Sequence, residues 1–163
     1  MPKILVSACL LGEPVRHDGR SKAIRSSALS ALIKQNSVMV FCPEVAGGLP
    51  TPRAAAEIQQ ADGFAVIDVN ASVKTDDGAD VTRQFLDGAQ RALALCRQYK
   101  IGTAILSEAS PSCGSGVIYD GSFTRCKRAG VGVTTALLRR NGIVVFSQHQ
   151  LDEALASLQI RAD

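Results

Sequence analysis

The sequence predicts an α/β domain spanning residues 1–163: a mostly parallel central sheet with flanking helices, a Rossmann-like three-layer sandwich. Three observations predict it. Short apolar runs of about four residues alternate with longer stretches of helical periodicity, the pattern of βα units rather than of consecutive hairpins. Three of those runs end in a loop that carries a cysteine. No linker, repeat or low-complexity segment divides the 163 residues, a length that suits one hydrophobic core.

Taken in order, Ile4–Ser7 reads as a buried strand and Cys9–Gly12 as the loop after it. Between Ser21 and Lys34, Ile24, Leu29, Leu32 and Ile33 recur at helical spacing. Val38–Phe41 is the second strand. It must stop at Cys42-Pro43, because proline cannot donate to a ladder. The Gly- and Pro-rich stretch 47–52 is loop, Ala54–Glu57 reads as a turn of helix, and Phe64–Val69 as a strand pairing with the next segment of the chain. After a turn at 74–78, Asp80 is expected to N-cap a long helix over Val81–Tyr99, whose apolar face carries Phe85, Leu86, Ala89, Leu93 and Cys96. Thr103–Leu106 is a strand running into a Ser-Pro-Ser-Cys-Gly loop at 110–114. Val131–Arg140 reads as a helix stopped by Asn141-Gly142. Ile143–Phe146 is the last strand and Leu151–Leu158 a closing amphipathic helix.

Composition narrows the function. With 46% hydrophobic and 20% charged residues the chain reads as soluble and globular. Aromatic residues are only 4% and tryptophan is absent, which leaves little for a base-stacking platform. The formal charge of +3 is not concentrated in any long basic run, so no nucleic-acid polymer is expected as partner. The opening apolar run is too short for a signal segment and nothing approaches 18 apolar residues. The expectation is therefore a cytoplasmic protein with no membrane partner. Five cysteines in a reducing compartment are ligands, catalysts or buried side chains before they are disulfides.

Cys9, Cys42 and Cys113 each follow a strand. Ligands of an open parallel sheet bind outside the carboxyl ends of its strands. If the three strands are neighbours, their thiols share a rim, although 33 and 71 residues separate them along the chain. Three converging thiolates suit a soft metal. The options are a [4Fe-4S] cluster with one iron left open, or zinc with three thiolates and a water. Small buried side chains at strand ends are the plain alternative. Cys96 reads as inert core and Cys126, between Arg125 and Lys127, as a surface thiol. Glu44 is a candidate general acid or base, or else a partner for Arg53. Ser110 and Ser112 flank Cys113 and either face the site or hold the turn. Arg16, His17, Asp18 and Arg20 form a polar loop beyond Cys9, suited to an anionic or heterocyclic ligand or simply solvated. Gly132 and Thr134 stand at a helix start whose amides can cradle a phosphate, although a P-loop lysine is missing and a tight turn serves equally. His149 is expected on the surface near the last helix.

Four segments together, SACLLGEPVRHDG (7–19), CPEVAGGLPTPRAAAEI (42–58), EASPSCGSGVIYDGSF (108–123) and GVGVTTALLRRNGIVVFS (130–147), resemble the DUF523 family, whose characterised members are thiouracil desulfurases. The resemblance runs from Lys3 to about Ala154. It implies an oxygen-sensitive [4Fe-4S] cluster on Cys9, Cys42 and Cys113 with one open iron. It also implies removal of sulfur from a thiolated pyrimidine, as thiouracil or as 4-thiouridine monophosphate, with catalytic roles for Glu44 and Ser110. Two positions depart from the pattern: Ser107 stands where a lysine is common, and His17 replaces an aromatic residue before Asp18. Two other classes compete. One is a sensor module that binds a nucleotide or cluster without turnover. The other is a thiol enzyme with Cys113 as nucleophile, for which His17 and His149 are the available imidazoles.

Overall fold

A computed structural model of the chain describes residues 2–162. In chain order its elements are β1 (Lys3–Ser7), α1 (Ser27–Gln35), β2 (Ser37–Phe41), α2 (Pro43–Ala46), β3 (Ala56–Ile58), α3 (Gly63–Ile67), β4 (Val73–Thr75), α4 (Thr82–Gln98), β5 (Thr103–Leu106), β6 (Val117–Tyr119), β7 (Lys127–Ala129), α5 (Val133–Arg140), β8 (Val144–Ser147) and α6 (Leu151–Ala162). A sheet of four parallel strands in the order β2-β1-β5-β8 forms the centre. Its inner strands are apolar on both faces because both faces are covered. Leu5, Ala104, Leu106 and Val145 join the layer built on α3, α4 and α5. Ile4, Val6 and Ile105, one residue out of phase, join α1 and α6 through Leu29, Leu32, Leu151, Ala154 and Leu158. The three-layer α/β expectation holds.

The strand order fixes where the site lies. The chain leaves β1 toward β2, then returns to lay β5 on the other flank of β1. The carboxyl ends of β1 and β5 therefore border a topological switch point, with the end of β2 beside them.

Several local expectations are corrected. Residues 54–57 do not form a helical turn: Ala56–Ile58 is β3, paired antiparallel with β4, and the pairing overrides the helical preference of an alanine run. Residues 64–69 do not form a strand. Asp62 accepts the Phe64 amide at 3.1 Å and caps α3, which packs on α5 and buries Val66 in the core. The first helix starts at Ser27 instead of Ser21. The preceding segment lies along the loop after β1, with the Lys22 amide on the Cys9 carbonyl (2.8 Å) and the Ile24 amide on that of Leu10 (3.2 Å), until Ser26 caps the helix through the Leu29 amide. Val81 occupies the N-cap position of α4, and Asp80 supports it from one residue earlier by accepting the Thr82 amide at 2.9 Å. The β6–β7 hairpin was not anticipated, since Lys127–Ala129 is exposed throughout and carries no apolar alternation.

The short helix α2 sits against α4 backbone to backbone. A Cβ on Gly47 would stand 2.0 Å from the Gln84 carbonyl oxygen, and one on Gly88 2.0 Å from that of Pro43. Two glycines thus bring Cys42 and Glu44 down onto the rim. Among the described residues no helix is long and apolar enough to cross a membrane.

Candidate active site

Cys9 lies in a single 3-10 turn, Ala8–Leu11, directly after β1. Cys42 ends the β2 segment where Pro43 opens α2, and Cys113 lies in the loop between β5 and β6. All three thiols are free; Cys9 and Cys42 are half-buried and Cys113 is 5% exposed. Burial pushes the Cys113 thiol well above its ordinary range. Charges on Cys42, Glu44 and Cys9 act in the same direction, while the Ser7 hydroxyl opposes them. The three thiols and one carboxylate therefore occupy one rim. A neutral, buried Cys113 thiol is poorly placed as a nucleophile.

Serines at the ends of two neighbouring strands back the thiols. Ser7 accepts the Ser107 amide at 3.0 Å and donates to Cys113 Sγ at 3.8 Å. Burial likewise raises Cys9, with the Ser107 hydroxyl and the Lys22 and Arg16 charges working against the rise.

Glu44 is held from both sides. Ser110 Oγ donates to its Oε2 at 3.4 Å while accepting the amides of Ser112 (3.1 Å) and Cys113 (3.2 Å). Arg53 Nε faces Oε1 at 3.3 Å, with the arginine side chain only 5% exposed. The same guanidinium donates to the carbonyls of Val15 and Pro50 and to Thr51 Oγ1, and the Arg53 amide donates to the His17 carbonyl. Arg53 thereby ties the 12–20 loop to the carboxylate. The expected partnership of Glu44 with Arg53 is present, and the same contact leaves the carboxylate on the rim beside Cys113.

The remaining candidates divide. Arg16 lies near enough to Cys9 and Lys22 to act on both. Asp18 is exposed and accepts the Arg20 amide at 2.9 Å, so its carboxylate closes its own turn. The amides at the head of α5 are not free for a phosphate. Those of Gly132, Val133 and Thr134 donate to the carbonyls of Gly114, Pro111 and Ser112 at 2.8–2.9 Å. A Cβ on Gly132 would stand 2.4 Å from the Ser112 carbonyl carbon. The glycine and helix start thus fasten the loop that carries Cys113. The Ser112 and Thr134 hydroxyls are buried there with no protein partner. Cys96 is core, while Cys126 and His149 are exposed, as expected.

Four residues carry more of the site than their sequence pattern suggests: Ser7, Lys22, Arg53 and Glu108. Ser107-Glu108 directly after an apolar strand was the available signal for the last. Burial pushes the Glu108 carboxyl up, but the amides of Ser115, Gly116, Ala109 and Val117 outweigh it and leave the group below its ordinary value. A carboxylate with a depressed folded pKa contributes stability above its unfolded pKa, 4.5 here, and loses it as pH falls through the folded value. Glu108→Gln is expected to cost about 2 kcal/mol at neutral pH and to flatten the acid limb of the stability curve. Denaturant melts from pH 7 to 3 check this; parallel curves for the two proteins would refute it.

The donor set fits an iron–sulfur cluster. It is three soft thiols on adjacent strand ends, with hydroxyl donors behind two of them. No three Cys, His, Asp or Glu side chains among the described residues close round a single metal ion. A four-iron cube asks for a wider arrangement, since each thiolate binds a different iron.

Comparison with known proteins agrees. A family model described as 2-thiouracil desulfurase matches residues 4–150. The uncharacterized protein YbbK of Bacillus subtilis (strain 168) is 41% identical over 152 residues, which covers 93% of this chain and 99% of YbbK. A solved structure described as the [4Fe-4S]-dependent thiouracil desulfidase TudS is 52% identical with a TM-score of 0.88, covering 98% of this chain and 99% of that one.

Proposed function

The chain belongs to the 2-thiouracil desulfurase family, and on that premise we propose that it hydrolyses the C–S bond of a thiolated pyrimidine, with Cys9, Cys42 and Cys113 as the ligands of a [4Fe-4S] cluster. The observation that supports it most is the meeting of three thiols and Glu44 on one rim of the sheet.

When bound, the cluster supplies a thiophilic Lewis acid that polarises a thiocarbonyl. The rest falls to side chains of this chain. Glu44 takes a proton from a water at the mouth of the site and returns it to the leaving sulfur. Arg53 on Oε1 and Ser110 on Oε2 fix the direction in which its free lone pairs point. Ser110, locked by two amides from the Cys113 loop, keeps carboxylate and thiol in register. Water enters and hydrogen sulfide leaves as the carbonyl forms, so no electrons are exchanged.

The surroundings favour an anionic substrate. Arg16 and Lys22 lie beside Cys9, and Lys127 of the β6–β7 hairpin is close enough to Lys22 to act on it. A thiolated nucleotide such as 4-thiouridine monophosphate meets that charge better than thiouracil does. The test is anaerobic reconstitution with an iron and sulfide count, followed by sulfide release from 4-thiouracil and from 4-thiouridine monophosphate. About four irons per chain and a higher kcat/KM for the nucleotide are expected. A reconstituted protein that releases sulfide from neither compound would refute the reading.

A further inference from the structure

We propose that Lys22 sets the electron density of the bound cluster at its Cys9 corner, acting through Ser107 as a positioning residue; the proposal rests on the cluster reading above. The Lys22 amide donates to the Cys9 carbonyl at 2.8 Å, so the lysine backbone lies directly against the ligand residue. Its half-buried side chain then crosses the rim, where Nζ stands 3.4 Å from Ser107 Oγ and 3.3 Å from the Glu108 carbonyl oxygen.

Both partners are neutral, so neither cancels the charge. The Glu108 carboxylate offsets that charge only from a distance, because its oxygens accept the amides of 109 and 115–117 and the Ser115 hydroxyl while Nζ meets the Glu108 carbonyl instead. Two further cations, Arg16 and Lys127, also act on Lys22 and add to the positive charge beside Cys9. A hydroxyl that accepts from an ammonium keeps its own proton free to donate, and the Ser107 hydroxyl stands beside the Cys9 thiol. The ammonium thus reaches the sulfur through one intervening group.

The Cys113 corner offers an internal contrast. There Ser7 is backed by a peptide amide rather than by a charge. Hydrogen bonds to ligand sulfurs and local net charge are two of the levers that set a cluster's reduction potential. Lys22 and Ser107 work both at Cys9.

The experiment is an anaerobic dithionite titration of reconstituted wild type, K22M, K22R, S107A and K22M/S107A, followed by electron paramagnetic resonance. Removing the charge should disfavour the reduced cluster. K22M is expected to shift the one-electron reduction equilibrium about tenfold toward the oxidised form, 59 mV more negative, at unchanged iron and sulfide content. K22R should stay within about twofold of wild type. S107A should move the same way as K22M, and the double variant should shift by less than the sum of the two. A K22M potential equal to that of wild type overturns the proposal and leaves the desulfurase reading standing. If K22M does not retain the cluster, an unshifted S107A overturns it instead. A wild-type chain that binds no iron overturns both.

Discussion

Cys113→Ala is expected to give a folded protein that holds no stable [4Fe-4S] cluster and releases sulfide only at background level. The fold should survive because the loop is fixed by its backbone and not by the thiol. Thr135 Oγ1 donates to the Cys113 carbonyl at 2.9 Å, the Gly114 amide to that of Ser110 at 2.9 Å, and the head of α5 grips the loop through three further amides. Loss of one buried sulfur atom costs on the order of 1 kcal/mol, small against the stability of a domain. The cluster should not survive, because three thiolates already leave one iron without a protein ligand and two leave a second exposed. Cys126→Ser is the matched control: that thiol is exposed on the hairpin and should change neither iron content nor rate. Iron and sulfide counts, thermal melts and the sulfide-release assay decide together. A C113A protein with full iron content and wild-type turnover would remove Cys113 from the site.

The same contrast between backbone and side chain explains how much was legible in the sequence. The four central strands were readable because each is an unbroken apolar run bounded by polar or proline residues, a signal internal to the segment. The meeting of Cys9, Cys42 and Cys113 was readable through topology and through the family resemblance, not through spacing, since thiols 33 and 71 residues apart share no local motif. Where one segment's fate depended on another, the reading failed. Ala56–Ile58 became a strand because β4 lies beside it. Residues 21–26 stayed extended because they pair with the Cys9 loop. Gly132 looked like the start of a phosphate cradle because a glycine before a helix is the same signal whether its amides face solvent or a neighbouring loop. Here they face the Cys113 loop. Lys22 was illegible for a different reason. A single lysine in a polar stretch has no pattern, and its significance arises only when the chain folds its amide onto Cys9 and its ammonium onto Ser107.

Glu44→Gln is expected to lower kcat by about 10²–10⁴-fold while leaving cluster content, melting temperature and KM close to those of wild type. The substitution preserves volume, and an amide oxygen can still accept from Arg53 Nε, so the clamp on the 12–20 loop remains. What it removes is the capacity to take a proton from water and hand it on, and that loss is felt only as the bond breaks. An interaction made only in the transition state lowers kcat and kcat/KM together. If Glu44 served solely to anchor Arg53, the glutamine would keep that anchor and the rate would change little. Arg53→Met separates the two roles. It frees the carboxylate and releases the carbonyls of Val15 and Pro50, so it should lower stability and raise KM with a smaller effect on kcat. Ser110→Ala lies between them, because one hydroxyl serves both the Glu44 carboxylate and the amides that shape the Cys113 turn. It should lose about 1 kcal/mol of stability through the unsatisfied amides and part of the rate through a carboxylate free to rotate. A glutamine variant with undiminished kcat would leave the serine and arginine as scaffolding around a carboxylate with no catalytic part, and the proton path would then have to begin elsewhere on the rim.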